Sequence, residues 1–307
     1  MTLQNILVVG ATGKQGRAVV NALLKNPNNA PHILALTRNP DSANAQSLLS
    51  AFKDGQVELV KGDTGEPKAI FEGRPKDSID GIFIVTVMQQ KLSEEQQAIP
   101  LIDTAVDHGV KHIVFTSVER GGNEKSWTNP TTVPHFKAKH NVEIYLRDKA
   151  AKSNGAFTWT ILRPVAFMDN WNPGAFASMM TAMWASSMSE DKKLQLISVH
   201  DIGEFAALSF KDPAKWAGKA VGLAGDELTL KEVKEKFQKV TGKPLPHSWN
   251  ILGKFMLWMV TDLRLMFAWF DKEGYGADIA ELRKEFPPLM DFETWLREES
   301  GWKEDKA

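Results

Sequence analysis

The sequence predicts an α/β fold: a doubly wound parallel sheet followed by a smaller C-terminal α/β domain. Two observations carry that expectation. Six short β-favouring runs alternate with helical patterns along the first half of the chain, and a glycine-rich turn joins the first run to the first helix. The runs are Ile6–Val9, Ile33–Leu36, Val57–Lys61, Gly81–Val85, His112–Thr116 and Thr158–Leu162. The helix after the first run, Arg17-Ala18-Val19-Val20-Asn21-Ala22-Leu23-Leu24, repeats apolar residues at helical spacing. This pattern places the parallel sheet in the first half of the chain.

The first connection is the most informative. Gly10-Ala11-Thr12-Gly13-Lys14-Gln15-Gly16 leads from strand to helix. A chain wrapping a pyrophosphate needs a tight turn, a position without Cβ where backbone meets phosphate, and a small residue where helix meets sheet. Glycine supplies all three, and the helix start adds free N–H groups and a positive dipole end. The turn therefore reads as a dinucleotide cradle of the Rossmann type, and the G-x-x-G-x-x-G spacing points to the short-chain dehydrogenase/reductase branch. The second run ends in Thr37-Arg38, where an NAD site would carry Asp or Glu on the adenosine ribose. A guanidinium there pairs instead with a 2′-phosphate, which favours NADP(H). After the third run, Asp63 is expected near the adenine edge.

Composition excludes other classes. The 307 residues carry 37 basic and 38 acidic side chains, a formal net charge of −1, so nothing suggests a nucleic-acid surface. There is no cysteine, which removes disulfides, a thiol nucleophile and thiol redox sensing. Met1-Thr2-Leu3-Gln4-Asn5 runs almost directly into the first strand, leaving no room for a leader, and the expected location is cytoplasmic, the nucleus included. The most apolar stretch, Asn250 to Phe270, is interrupted by Lys254, Asp262 and Arg264, and reads as amphipathic helix rather than membrane span. His108 and His112 are separated by Gly109 and a strand start, which argues against a metal pair.

Downstream of the fifth run lies Ser117, where a short-chain reductase keeps its serine. The Tyr-x-x-x-Lys that should follow has two candidates. Tyr145-Leu146-Arg147-Asp148-Lys149 matches by letter, whereas His135-Phe136-Lys137-Ala138-Lys139 has histidine for tyrosine. The lysine must sit early on a helix that then runs back along the sheet. Lys139 leaves about 18 residues before Thr158, while Lys149 would lie about 15 Å further down the helix. Lys139 and His135 are therefore expected at the site, and Tyr145 and Lys149 as ordinary helix residues.

With Leu162-Arg163-Pro164-x-x-Phe167-Met168-x-Asn170, Asp201-Ile202-Gly203-x-Phe205-Ala206, Gly225-Asp226-Glu227-Leu228-Thr229, Thr241-Gly242-Lys243-Pro244, Gly274-Tyr275-Gly276 and Phe292-Glu293-Thr294-Trp295-Leu296, these residues run collinearly through nearly the whole chain. Together they resemble the NmrA-like family of atypical short-chain dehydrogenase/reductases. The resemblance implies a cofactor-binding sheet domain at 1–164, to which a segment near 195–210 returns, and a smaller C-terminal domain at 165–307. It also implies NADP(H) as cofactor and a cofactor set of Gly10, Thr12, Gly13, Lys14, Gln15, Gly16, Arg38, Asp63, Thr86, Lys139, Pro164 and Phe167, with Lys139, His135 and Ser117 as the catalytic candidates. That family includes transcriptional co-regulators and redox sensors as well as reductases.

Histidine in place of tyrosine bears on that choice. An unperturbed histidine titrates near pH ~6.5 and is mostly neutral at pH 7, leaving one N–H donor and weak acid catalysis. The sequence thus favours an NADP/NADPH sensor or regulator binding a partner protein. An NADPH-dependent reductase of an apolar carbonyl, quinone or imine stands as the alternative, and a scaffold without cofactor is disfavoured by the glycine turn. Met179, Met180, Met183, Trp184 and Met188, with Phe255, Met256, Trp258, Met259, Met266, Phe267 and Trp269, form either core or a wide apolar pocket. The charged end from Arg297 to Lys306 is expected to be a solvated face and tail.

Overall fold

The computed structural model describes residues 3–88 and 91–302. The charged residues Lys303 to Lys306 lie outside them. The chain divides into two compact units, the first made of Met1–Ser117, Ala138–Arg163 and Ile202–Val221, the second of Val118–Lys137, Pro164–Asp201 and Gly222–Ala307.

All six β-favouring runs form strands of one sheet: β1 (Asn5–Val8), β2 (His32–Thr37), β3 (Val57–Lys61), β4 (Gly81–Ile84), β5 (His112–Thr116) and β6 (Thr158–Pro164). Two further strands, β7 (Ala166–Phe167) and β8 (Leu194–Ile197), precede β9 (Lys219–Leu223), which joins this sheet at its edge to give the order β3-β2-β1-β4-β5-β6-β9. The pairings among β1 to β6 are parallel, with Ile6 opposite Ile33, Val8 opposite Phe83 and Val114 opposite Thr160. The run of the chain reverses direction across the sheet between β1 and β4, the arrangement that opens a crevice at the carboxyl ends of the strands. β9 escaped the sequence reading because Lys-Ala-Val-Gly-Leu is short, partly polar and holds a glycine.

The strands read as continuous apolar runs because helices cover them. The helix Lys14–Leu24 buries Val19, Val20, Leu23 and Leu24. Gly203, on the helix Val199–Lys211, meets it so closely that a Cβ would lie 2.5 Å from the Ala18 carbonyl oxygen. His112 is fully buried on β5. The Thr160 hydroxyl donates to the Trp216 carbonyl, so it accepts from His112 Nε2–H at 3.1 Å, and His112 Nδ1 meets the Thr158 hydroxyl at 2.7 Å. Burial pulls its pKa down to about 4. His108 sits at the end of the helix Glu94–Asp107 against the Phe71 ring.

The second unit has its own sheet, in which β8 pairs in parallel with β7 and antiparallel with β10 (Asp226–Leu228). Its core is built on Trp171, Trp184, Trp295, Phe237 and Phe267. Met180, Met183, Trp184 and Met188 are buried in that core and Met179 packs against it. The apolar stretch from Asn250 is two helices, not one, Asn250–Met259 and Thr261–Lys272, because Val260 between them is extended. No glycine or proline marks that break. Gly253 brings the first of these helices against the helix Ala175–Ser187, with a Cβ-equivalent position 2.5 Å from Ala182 O. Ile251, Phe255, Trp258 and Met259 are left exposed. Among the described residues, no helix is long and apolar enough to cross a membrane.

Candidate functional site

The carboxyl ends of the parallel strands of the first unit collect most of the candidate residues. Gly10 follows β1 with φ +67°, a conformation that glycine reaches without strain. Gly13 N–H donates to Gly10 O at 2.8 Å and closes the turn, and Gly13 is also the N-cap of the helix Lys14–Leu24. A glycine cap has no side chain to engage the first N–H groups, and no acid occupies the first turn. A Cβ on Gly16 would stand 2.2 Å from Gly10 O, so only glycine allows this helix to approach its own turn. Tight turn, bare helix N-terminus and absence of acid fit a pyrophosphate.

Around this turn, Thr12 is half-buried and Lys14 exposed. Gln15 Oε1 accepts the Thr116 hydroxyl at 2.9 Å, which ties the helix to the end of β5. Arg38 directly follows β2, is exposed, and has no ion-pair partner among the described residues. Its neighbour β1 carries the glycine turn, so both lie at the same edge of the sheet. Asp63, after β3, is exposed and accepts the Gly65 N–H at 2.8 Å, which shapes its own loop. Ser117, after β5, is buried, and its N–H donates to Leu162 O at 2.7 Å.

Thr86, after β4, is part of a compact polar group. Lys139 Nζ donates to Thr86 Oγ1 at 2.8 Å and pairs with Glu94 Oε2 at 2.8 Å, while the Thr86 hydroxyl donates to the same Glu94 oxygen. The Lys139 side chain is only 12 % exposed and that of Glu94 5 %. Lys139 also lies 5.8 Å from the centre of the Phe115 ring. The helix bearing Lys139, Pro134–Ala151, is anchored to β6 by a fully buried ion pair, Arg163 Nη2 to Glu143 Oε2 at 2.8 Å. Glu94 itself opens the helix Glu94–Asp107, whose cap is a box formed by Ser93 and Gln96.

One turn before Lys139 on the same helix is His135. Its Nδ1 lies 2.8 Å from Asp262 Oδ1 within the second unit, and its ring meets Phe136 edge-on. Pro164 and Phe167 also fall in the second unit, where Pro164 O accepts the Glu119 N–H and Phe167 belongs to β7. Tyr145 and Lys149 both end on Asp103, away from the Lys139 group.

Sequence reasoning missed Glu94 and Asp262. Glu94 reads as an ordinary acid in a helix first turn, where the dipole welcomes it. Asp262 did leave a signal, an acid inside the most apolar stretch of the chain, but its partner is 127 residues away in sequence.

The model of the NmrA-like family matches residues 2–296. An NmrA-like family domain-containing protein of Dictyostelium discoideum is 27% identical, covering 96% of this chain and 97% of its own length. An NmrA-like family domain-containing oxidoreductase of Aspergillus hancockii is 30% identical over 87% of this chain and 82% of its own. The solved structure of NmrA, a negative transcriptional regulator in complex with NADP, aligns with TM-score 0.72 at 18% identity over 98% and 96% of the two chains. The NADPH-dependent quinone oxidoreductase QOR2 of Escherichia coli, complexed with NADPH, aligns at 0.67 and 22% identity over 95% and 97%. At these identities the two structures speak to the shared fold.

Proposed function

The chain belongs to the NmrA-like family, and on that premise we propose that it is an NADP(H)-dependent oxidoreductase acting on an apolar carbonyl, quinone or imine. The observation that carries this reading is the glycine turn with its bare helix N-terminus, one strand from an exposed Arg38 that has no ion-pair partner among the described residues. In this reading Gly10, Thr12, Gly13, Lys14, Gln15 and Gly16 hold the pyrophosphate, Arg38 the 2′-phosphate, and Asp63 the adenine edge. Thr86, Pro164 and Phe167 flank the nicotinamide half, and Lys139 holds its ribose.

When bound, NADPH supplies a hydride for the substrate carbon. His135 supplies the proton in this reading: Nε2–H is given to the substrate oxygen or nitrogen while Nδ1–H stays on Asp262. Asp262 thereby fixes the ring's tautomer and orientation, the role an acid plays toward histidine in acyl-transfer sites. Ser117 offers a second hydroxyl near the end of β5.

A second reading, an NADP/NADPH sensor that signals to a protein partner, draws support from histidine standing where reductases place tyrosine. One experiment separates them. The protein is titrated with NADPH and NADP+, then incubated with NADPH and a panel of quinones, ketones and imines while the nicotinamide absorbance is followed. Turnover on any member of the panel that falls about 10²-fold or more in His135→Asn supports the reductase. Binding of both cofactor forms without turnover favours the sensor, and binding of neither overturns both.

A further inference from the structure

We propose that Glu94 is the counter-charge that sets which oxidation state of the dinucleotide this protein prefers. The inference rests on the reading above, in which Lys139 holds the nicotinamide ribose. Lys139 and Glu94 form an ion pair at 2.8 Å with both side chains almost wholly withdrawn from solvent. The second carboxylate oxygen, Glu94 Oε1, is buried and has no hydrogen-bond partner among the described residues. Among the described residues, Lys139 and Thr86 are therefore the groups that meet this carboxylate, and the Lys139 ammonium is the cation that matches its charge.

The geometry of the group is held from outside it. Gln97 donates to Val87 O at 2.9 Å and Leu92 O at 3.0 Å and accepts the Val87 N–H, which ties Val87 and Leu92 to the helix Glu94–Asp107. Glu94 is a positioning residue in this scheme, acting on the cofactor through Lys139.

The consequence is electrostatic. The oxidised nicotinamide ring carries a positive charge and the reduced ring carries none. A lone buried ammonium at the ribose opposes the oxidised form and leaves the reduced form untouched. Paired with Glu94 it presents no net charge, so both forms are accommodated. Charges within a few ångströms in a dry site interact strongly enough for this to govern the ratio of the two affinities.

The test is binding, not turnover: dissociation constants for NADP+ and NADPH measured by calorimetric titration of wild type, Glu94→Gln and Lys139→Met. Glu94→Gln leaves the ammonium uncompensated, and NADP+ affinity should fall about ten-fold or more relative to NADPH. Lys139→Met leaves the carboxylate uncompensated, and the ratio should move in the opposite sense although both forms bind more weakly. Opposite shifts cannot come from a merely structural role. If both variants shift the two affinities in parallel, or in the same sense, the inference fails while the cofactor reading stands. If wild type binds neither form, both fall. Should Glu94→Gln not fold, the sign of the Lys139→Met shift decides alone, and a ratio unmoved or moved toward NADPH overturns the proposal.

Discussion

Lys149 Nζ stands 2.7 Å from Asp103 Oδ1, the same oxygen that accepts the hydrogen bond of the Tyr145 hydroxyl. The pair with the spacing of a reductase motif is thus occupied with a surface acid on the neighbouring helix. Burial first, then Asp103, pushes the Tyr145 pKa up to about 12, whereas a catalytic tyrosine needs its proton loosened. Tyr145→Phe should therefore keep cofactor affinity and any turnover within about two-fold, while Lys139→Ala binds the cofactor more weakly and turns over more slowly. The folded pKa lies above the usual ~10, so the contribution of Tyr145 to stability is present below pH ~10 and is lost as pH rises toward about 12. Urea unfolding of the phenylalanine variant should lack that part of the alkaline decline.

The second and third glycines of the turn should answer differently to substitution. A Cβ at Gly13 would lie 3.3 Å from Gly10 O, whereas at Gly16 it would lie 2.2 Å from the same atom. Gly13→Val is expected to fold and to lose dinucleotide binding, because its side chain occupies the phosphate's place. Gly16→Ala should lose stability as well, by about 1–3 kcal/mol, as overpacking against backbone does. Thermal melts paired with NADPH titrations check both, and a Gly13→Val protein that still binds within a few-fold of wild type would move the phosphate site elsewhere.

Arg38→Asp should reverse cofactor preference. The substitution removes a charge-assisted contact worth about 1.5–3 kcal/mol and sets a carboxylate against the 2′-phosphate, so NADPH affinity should fall by about ten- to a hundred-fold or more while NADH gains. Equal affinities of the wild type for the two cofactors would sink this expectation.

His112 gives the protein an acid-sensitive core. Its folded pKa of about 4 lies below the unfolded value near 6.5. The unfolded chain takes up the proton first, so stability present above pH ~6.5 is lost as pH falls toward about 4, by on the order of 3 kcal/mol. Denaturant midpoints of wild type should drop over this interval, and those of His112→Asn should drop less. A parallel decline in the two proteins would show that the charge is accommodated.

Asp262→Asn should uncouple proton delivery from cofactor binding. The amide can still meet His135 Nδ1, yet it no longer selects the Nδ1–H tautomer. NADPH affinity should be unchanged, turnover should fall about ten- to a thousand-fold, and 15N shifts of the His135 ring should report a mixed tautomer population. A variant with wild-type turnover would leave the His135–Asp262 contact a structural tie between two helices.

The six strands of the parallel sheet and the glycine turn that joins β1 to its helix were legible in the sequence, because each depends on local spacing: apolar runs set between helical patterns, and glycines at fixed offsets. β9 and the break at Val260 were not, since a short polar edge strand and a helix boundary without glycine or proline carry no local mark. What tertiary structure alone decided is the set of partners. Glu94 stands 45 positions before Lys139 in the sequence and Asp262 stands 127 after His135, and nothing in either neighbourhood names the other. Ion pairs form between side chains that folding brings within a few ångströms. The sequence therefore determined that a lysine and a histidine sit one turn apart on a helix, and only the fold determined that each would meet a carboxylate there.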